Sequence, residues 1–313
     1  MNFSVVIPVF NKQQTIHRAI YSVLDQIRAF ADDVQLIIVD DGSTDNSLAT
    51  VKNIIENEPS RNIEVHCQQN AGVSAARNSG IEQAQYDLVA FLDADDTYET
   101  HFLDEISRLV NEYPESAAYC TAYRFVSCSD GSKRDAIIKG LRPDRKRQAL
   151  DDFFFSAANG DLPLTSSSVC IRKPILERIG GFPKRENMGE DQALWSQLAL
   201  LHGIAISKKM SANYFQETGN SLMQTVEPDC EMPFSQRLQK QLDLGSIPTK
   251  MRVSVKRYIA GHLLDLVRRN IESGNLVTAK RLIDDNRTRA DLKRWFRWKL
   301  VFTVKAARAR LSF

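Results

Sequence analysis

Asp93-Ala94-Asp95 sets two carboxylates side by side at the end of an apolar run, Ala90-Phe91-Leu92. Carboxylates that close repel each other unless a cation or a proton lies between them. A hard divalent cation such as Mg2+ satisfies the pair and keeps open positions for phosphate oxygens, so these residues point to a metal and a phosphorylated substrate. Three other groups are candidates to act with them. Asp41, in Val39-Asp-Asp-Gly-Ser-Thr-Asp45, stands where a strand gives way to a turn, and a carboxylate there can accept a hydrogen bond from a base or a ribose hydroxyl. The same residues also suit an ordinary Asp-Gly turn, with Ser43 or Thr44 capping the next helix. Arg77, within Asn70-Ala-Gly-Val-Ser-Ala-Ala-Arg-Asn-Ser-Gly80, offers a planar fork to an anion or base, or to an internal ion pair. Asp191 follows Gly189-Glu190 at the start of a helix, where the dipole keeps a carboxylate charged. It suits either simple charge compensation or general-base catalysis.

These groups can act together only if the fold brings them to one edge, and the periodicities supply such an edge. Stretches at 3–9, 34–39, 63–67 and 87–92 read as strands, and helical spacing fills 14–27, the stretch through Val51, Ile54 and Ile55, and about 73–84. Strands alternating with helices imply a mostly parallel α/β sheet covered on both faces. Ligands bind such sheets outside the carboxyl ends of the strands. Asp41 and Asp93 follow strands directly, which assigns both to that edge. Farther on, strands are expected at 119–126 and 167–171, a turn at 129–132, a break at Gly180-Gly181-Phe182-Pro183 and a helix at about 190–202. Pro228 and Pro233 mark a boundary, and helices at 234–243, 249–273, 276–285 and 288–311 follow it. Neither G-x-x-x-x-G-K-S/T nor G-x-G-x-x-G occurs, so the common phosphate loops are absent.

The succession V-D-D-G-S-T-D, N-x-G-x-x-x-A-R-N, F-L-D-A-D-D and I-G-G-F…G-E-D-x-x-L-W resembles the inverting family 2 glycosyltransferases of the GT-A fold, over roughly residues 1–220. The resemblance implies a GT-A catalytic domain over 1–230, with nucleotide-sugar binding in 1–97 and the acceptor side in 98–230, followed by a basic helical region at 231–313. It implies that Asp41 binds the nucleobase, commonly uracil, beside Pro8, Val9 and Phe10, and that Arg77 positions the nucleotide. It further implies that Asp93 faces ribose and metal, that Asp95 ligates the metal directly, and that Asp191 is the catalytic base. The cofactor would be Mn2+ or Mg2+, the donor a UDP-sugar, and the acceptor a saccharide or lipid-linked saccharide in surface-polysaccharide synthesis. In many relatives a basic residue in the following segment clamps the diphosphate, but Tyr214-Phe-Gln-Glu-Thr-Gly-Asn-Ser-Leu222 has none. The third metal ligand and the clamp are therefore unassigned. Sugar specificity is expected in the irregular 130–190 region and near 215–225. A sugar nucleotidyltransferase shares the sheet and metal carboxylates but carries a Gly-rich, basic N-terminal loop that this chain lacks. A silent nucleotide-binding or membrane-scaffold protein would not need the full set of Asp41, Asp93, Asp95 and Asp191.

The formal net charge of +2 hides a division: residues 1–233 carry −11 and residues 234–313 carry +13. Two surfaces with different partners are expected. Within 289–311, eight Lys and Arg residues mix with Leu292, Trp295, Phe296, Trp298, Leu300 and Val304. That mixture suits the interface of an anionic membrane. It equally suits a helix packed on the acidic catalytic part with its basic face in water. No nucleic-acid module is visible. No apolar run approaches the ~20 residues of a spanning helix, and the chain opens on a strand rather than a leader. Its five cysteines are scattered and form no C-x-x-C pair. The expectation is a cytoplasmic chain, with residues 289–311 as the candidate for a peripheral contact on the inner face of the membrane.

Overall fold

The computed structural model describes residues 1–30, 34–58, 62–184, 186, 188–216 and 231–311. Strands β1 (Phe3–Val9), β2 (Val34–Asp40), β3 (Ile63–Cys67) and β4 (Leu88–Phe91) lie parallel, joined by helices α1 (Ile16–Phe30), α2 (Ser47–Asn57) and α3 (Val73–Gln83). Their register aligns Val9 with Asp40, Asp40 with Cys67, and Val6 with Phe91. The carboxyl ends therefore open on one edge, with Phe10, Asp41 and Asp93 just beyond it.

The chain then forms β5 (Thr97–Tyr98), α4 (Phe102–Glu112), β6 (Ala118–Ser127), β7 (Lys133–Asp135), β8 (Arg147–Ala149) and α5 (Phe153–Asn159). After these come β9 (Val169–Arg172), α6 (Lys173–Ile179), α7 (Glu190–Leu201) and β10 (Ile204–Gln216). All ten strands join one sheet in the order β3-β2-β1-β4-β9-β6-β10-β5, with β7 beside β6 and β8 beside β10. β9 is antiparallel to both β4 and β6, so the second half of the sheet is mixed. Ser167, expected in a strand, instead lies in a 3-10 turn at Ser166–Ser168 that precedes β9. Strand β10 and helix α4 are additions to the expected elements.

Strands β1, β2, β4, β6, β9 and β10 each feed two cores, as alternation requires in a sheet covered on both faces. Val5 and Ile7 face one core with Ile16, Ile20 and Phe102, whereas Val6 faces the other with Phe91, Trp195 and Phe234. Helix α3 lies so close under β1 that a Cβ on Gly80 would sit 2.3 Å from Val6 Cγ1. Only glycine fits there, and this contact fixes the height of Arg77 above the sheet.

The C-terminal helices are α8 (Pro233–Asp243), α9 (Arg252–Glu272), α10 (Leu276–Asp284) and α11 (Leu292–Leu311). They extend the second core rather than forming one of their own: Phe234, Tyr258 and Leu263 pack in the same cluster as Trp195 and Phe91. Tyr258 meets the rings of Phe153, Phe154 and Phe234. Among the described residues, no helix is long and apolar enough to cross a membrane.

Candidate active site

Arg77 organises the site. Its Nη2 donates to Asp93 Oδ1 at 2.7 Å and its Nη1 to Glu190 Oε1 at 3.1 Å, so one guanidinium ties the end of β4 to the start of α7. Its charged face lies 5.0 Å from the centre of the Phe182 ring. Burial disfavours the cation, but Asp93 and Glu190 more than offset this and raise its pKa above the ordinary arginine value. The internal ion pair is thus realised. Its Nε is buried without a hydrogen-bond partner.

Asn78, one residue on, fixes Phe182 in turn. Its Nδ2 donates to the Phe182 carbonyl and its Oδ1 accepts from the Phe182 N–H, both at 2.8 Å. A Cβ on Gly181 would stand 2.3 Å from Asn78 Oδ1, and Gly181 has φ +68°, so the Gly-Gly turn exists to allow this clamp. Asn78 carries no role in the sequence reading, although it sits in a quoted motif.

Asp191 opens α7 beside Glu190 and accepts from the Gln192 N–H at 2.6 Å. Burial and the adjacent Glu190 push its carboxyl up to about 6, against the pull of Arg77. Gln192 is held by the C-terminal region: Tyr258 Oη–H donates to Gln192 Oε1 at 2.6 Å. Tyr258 therefore reaches the site from a helix some sixty residues away, and no local signal announces it. Tyr258→Phe removes one hydrogen bond from a residue that water can reach, so a loss of about 1 kcal/mol in unfolding free energy is expected. Because Gln192 only steadies the helix start, turnover should fall less than tenfold. A urea titration with steady-state kinetics checks both.

Around Asp95, two cations from the β1–α1 segment converge. Lys12 Nζ donates to Asp95 Oδ2 at 2.5 Å. Arg18 donates to the Asp95 carbonyl and stacks 3.8 Å over the Phe215 ring. Asp96 lies beneath, buried, accepting from the Ser167 hydroxyl at 2.5 Å and from the Phe215 N–H at 2.9 Å. Burial, then Asp93 and Asp95, hold its carboxyl well above the usual range. Asp96 therefore joins the end of β10 to the carboxylate segment. Ser167 also accepts from the Asp93 N–H, so one hydroxyl positions both Asp93 and Asp96.

Asp41 is buried at the neighbouring strand end. Its carboxylate accepts from Gln68 Nε2, Ala71 N–H and Gly72 N–H at 2.7, 2.9 and 2.8 Å. These bonds shape the loop that begins α3. Pro8 and Val9 are buried, whereas Phe10 is 44% exposed at the lip of the same edge. Thus Phe10, Asp41 and Asp93 stand at the carboxyl edge of the parallel strands, and Arg77 links Asp93 to the start of α7, where Asp191 lies. His202 lies apart, its ring against Arg178. Residues 217–222 of the expected clamp segment lie outside the described residues.

The carboxylates suit a hard cation in chemistry. Among the described residues, no three His, Cys, Asp or Glu side chains form a metal-binding group. A Mg2+-like ion commonly takes one or two carboxylates and completes its shell with substrate phosphates and water. Asp93 and Asp95 fit that pattern once Lys12 Nζ leaves Asp95. The Lys12 contact sets a positive charge beside Asp95.

A family model described as glycosyl transferase family 2 matches residues 4–161. Minor teichoic acid biosynthesis protein GgaA of Bacillus subtilis is 35% identical over 109 residues, covering 33% of this chain and 24% of its own length. GalNAc(5)-diNAcBac-PP-undecaprenol beta-1,3-glucosyltransferase of Campylobacter jejuni is 29% identical over 198 residues, covering 62% of this chain and 59% of its own. The chain thus spans less than two thirds of either relative. The crystal structure of S. aureus TarS 1-349 in complex with UDP-GlcNAc has TM-score 0.64 at 18% identity, covering 97% of this chain and 91% of that one. That likeness is one of fold.

Proposed function

Because the chain belongs to glycosyl transferase family 2, we propose that it moves a sugar from a nucleoside diphosphate donor, a UDP-sugar, to a saccharide or lipid-linked saccharide hydroxyl, with inversion. The observation that carries this reading is the Arg77 bridge, which holds the candidate nucleotide edge at Asp93 against the candidate base at Glu190-Asp191. Two relatives support the broader setting: one is named for teichoic acid synthesis and the other for a PP-undecaprenol acceptor. The TarS complex supports a UDP-sugar donor.

In this reading Phe10 offers an aromatic face to the base, with Asp41 beside it. Asp41 keeps the 68–72 loop in shape and has one lone-pair site left, on Oδ2, for a base N–H. Arg77 positions the nucleotide through the Asp93 carboxylate that it holds. Asp191, pushed up to about 6 and so mostly ionised at neutral pH, takes the proton of the acceptor hydroxyl as that oxygen attacks the anomeric carbon. Attack opposite the departing diphosphate inverts the centre in one displacement. A Mn2+ or Mg2+ ion held by Asp95 and Asp93 would supply Lewis-acid neutralisation of the leaving group. Lys12 and Arg18, already at Asp95, provide positive charge where the 214–222 segment provides none in its sequence. The enzyme would act on the cytoplasmic side, where the acidic catalytic part meets donor.

A thermal-shift screen of nucleotide sugars with Mn2+ tests the donor assignment. A matching UDP-sugar at a hundred times its Kd should stabilise the fold by about 2.7 kcal/mol. The shift should shrink on chelation, and turnover should fall with it. Equal shifts for ADP-, GDP- and UDP-sugars, or full turnover in EDTA, would reject the donor or the metal respectively.

A further inference from the structure

Helix α11 has two apolar faces, and only one is covered. Trp295, Trp298, Val301 and Phe302 pack against the protein core. Trp295 Nε1–H also donates to the Ile283 carbonyl at 2.9 Å. On the other side Leu292, Phe296, Leu300 and Val304 are 56%, 63%, 67% and 45% exposed. Spaced four apart, they form a single stripe along three turns of helix. Lys293, Arg297 and Arg308 are exposed on the same helix, and Arg297 stacks 5.3 Å from the Trp298 ring. Residues 289–311 hold eight basic side chains and one acidic, Asp291.

We infer that this stripe is a docking surface for an anionic lipid bilayer, with the four apolar side chains entering the interface and the flanking cations resting on headgroups. The charge decides the occupant. A second copy meeting this face through a two-fold axis would oppose two strongly positive helices, and like charges would resist the contact. A neutral apolar partner would leave the cations unused. An anionic bilayer answers both features: apolar depth for Phe296 and Leu300, and negative charge for Lys293 and Arg297. A helix already anchored by its opposite face lies flat without refolding, so the surface is preformed. The aromatic residues divide accordingly: both tryptophans secure the helix to the protein, and Phe296 is the outward ring.

The test is co-sedimentation of the full chain with vesicles of phosphatidylcholine alone or with one third phosphatidylglycerol. Binding is expected only to the anionic vesicles and should weaken between low and high salt, as screening requires. The double variant Phe296→Glu, Leu300→Glu should lower partitioning about tenfold or more, given the transfer free energy of two such side chains. Its nucleotide-sugar shift should stay unchanged, because both residues are exposed on α11 and neither belongs to the Arg77 network, and its thermal midpoint should fall only slightly, by loss of the Phe296 edge contact with Trp295 at 4.9 Å between ring centres. Lys293→Glu, Arg297→Glu should reduce binding to anionic vesicles and make it less steeply dependent on salt. No binding to either vesicle, or equal binding to both, overturns the proposal. So does dimerisation of the parent in solution that the Phe296, Leu300 pair removes. The vesicle readout does not use turnover, so it stands or falls apart from the transferase reading.

Discussion

Asp191→Asn is expected to cut turnover about a thousandfold while leaving donor affinity within a factor of two or three, the scale of a lost general base. The substitution keeps size and keeps an oxygen to accept from the Gln192 N–H, so the start of α7 is retained. What disappears is the ability to take a proton. The parent's kcat/KM should rise with pH through a limb no higher than about 6, the value to which burial and Glu190 push this carboxyl. A bound divalent cation draws that limb lower. The residual activity of the variant should lack the limb. Stability moves the opposite way. A carboxyl whose pKa is raised on folding favours the folded state below its unfolded pKa, and this contribution is lost as pH rises through about 6. At pH 7 and above the parent therefore keeps a destabilising charge that Asn removes, and the variant should melt no lower than the parent. Near-normal turnover in Asp191→Asn, with donor still bound, would reject the base assignment. A lower melting temperature would instead show that its charge supports the fold.

Much of this site is readable before any fold is known, and the limits of that reading have physical causes. Strands β1, β2 and β4 are nearly continuous apolar runs because both faces of the sheet are covered there; Asp41 follows β2 directly, and only Leu92 separates Asp93 from β4. Helix α4 carries the usual signal, Phe102, Leu103, Ile106, Leu109 and Val110, yet lies beyond the motifs that draw the eye. Strand β10 hides for another reason. Lys208 and Lys209 interrupt its apolar character, and its register against β6 shifts between Ser207 and Met210 and again before Ala212, so period-two alternation fails there. Ser167 reads as strand because three serines before an apolar run give no hint of a 3-10 turn, and its bonds to Asp93 and Asp96 are set by tertiary placement. Tyr258 illustrates the deepest limit. Its contact with Gln192 joins segments whose spacing in sequence carries no pattern. The two faces of α11, by contrast, are legible in hindsight: positions 295, 298 and 302 follow helical spacing inward, whereas 292, 296, 300 and 304 form the outward stripe.

Arg77→Ala is expected to destabilise the fold by about 3–5 kcal/mol, the range for breaking a buried ion pair from one side. The reason is what remains. Asp93 and Glu190 lose the guanidinium they share, and Asp191 loses the cation that restrains its upward shift. Three carboxylates then lie close together without a cation, and the Phe182 ring loses its cationic partner while keeping Phe91 and Trp195. Each raises the pKa of the others, so the folded variant binds protons that the unfolded chain releases. Lowering the pH from 8 to 5 should therefore recover part of the lost stability. Mn2+ should also recover some, if Asp93 helps to hold it. Arg77→Lys keeps the charge but cannot span two carboxylates with one planar fork, and should restore less than half of the loss. Chemical unfolding at both pH values measures all of these. The alternative assigns Arg77 to the nucleotide alone. It predicts that Arg77→Ala folds within about 1 kcal/mol of the parent and shows only a raised KM for donor. The two carboxylate bonds at 2.7 and 3.1 Å favour the first outcome. They make Arg77 the post on which the metal-side and base-side halves of the cleft are hung, so losing it should misplace Asp191 even where the fold survives.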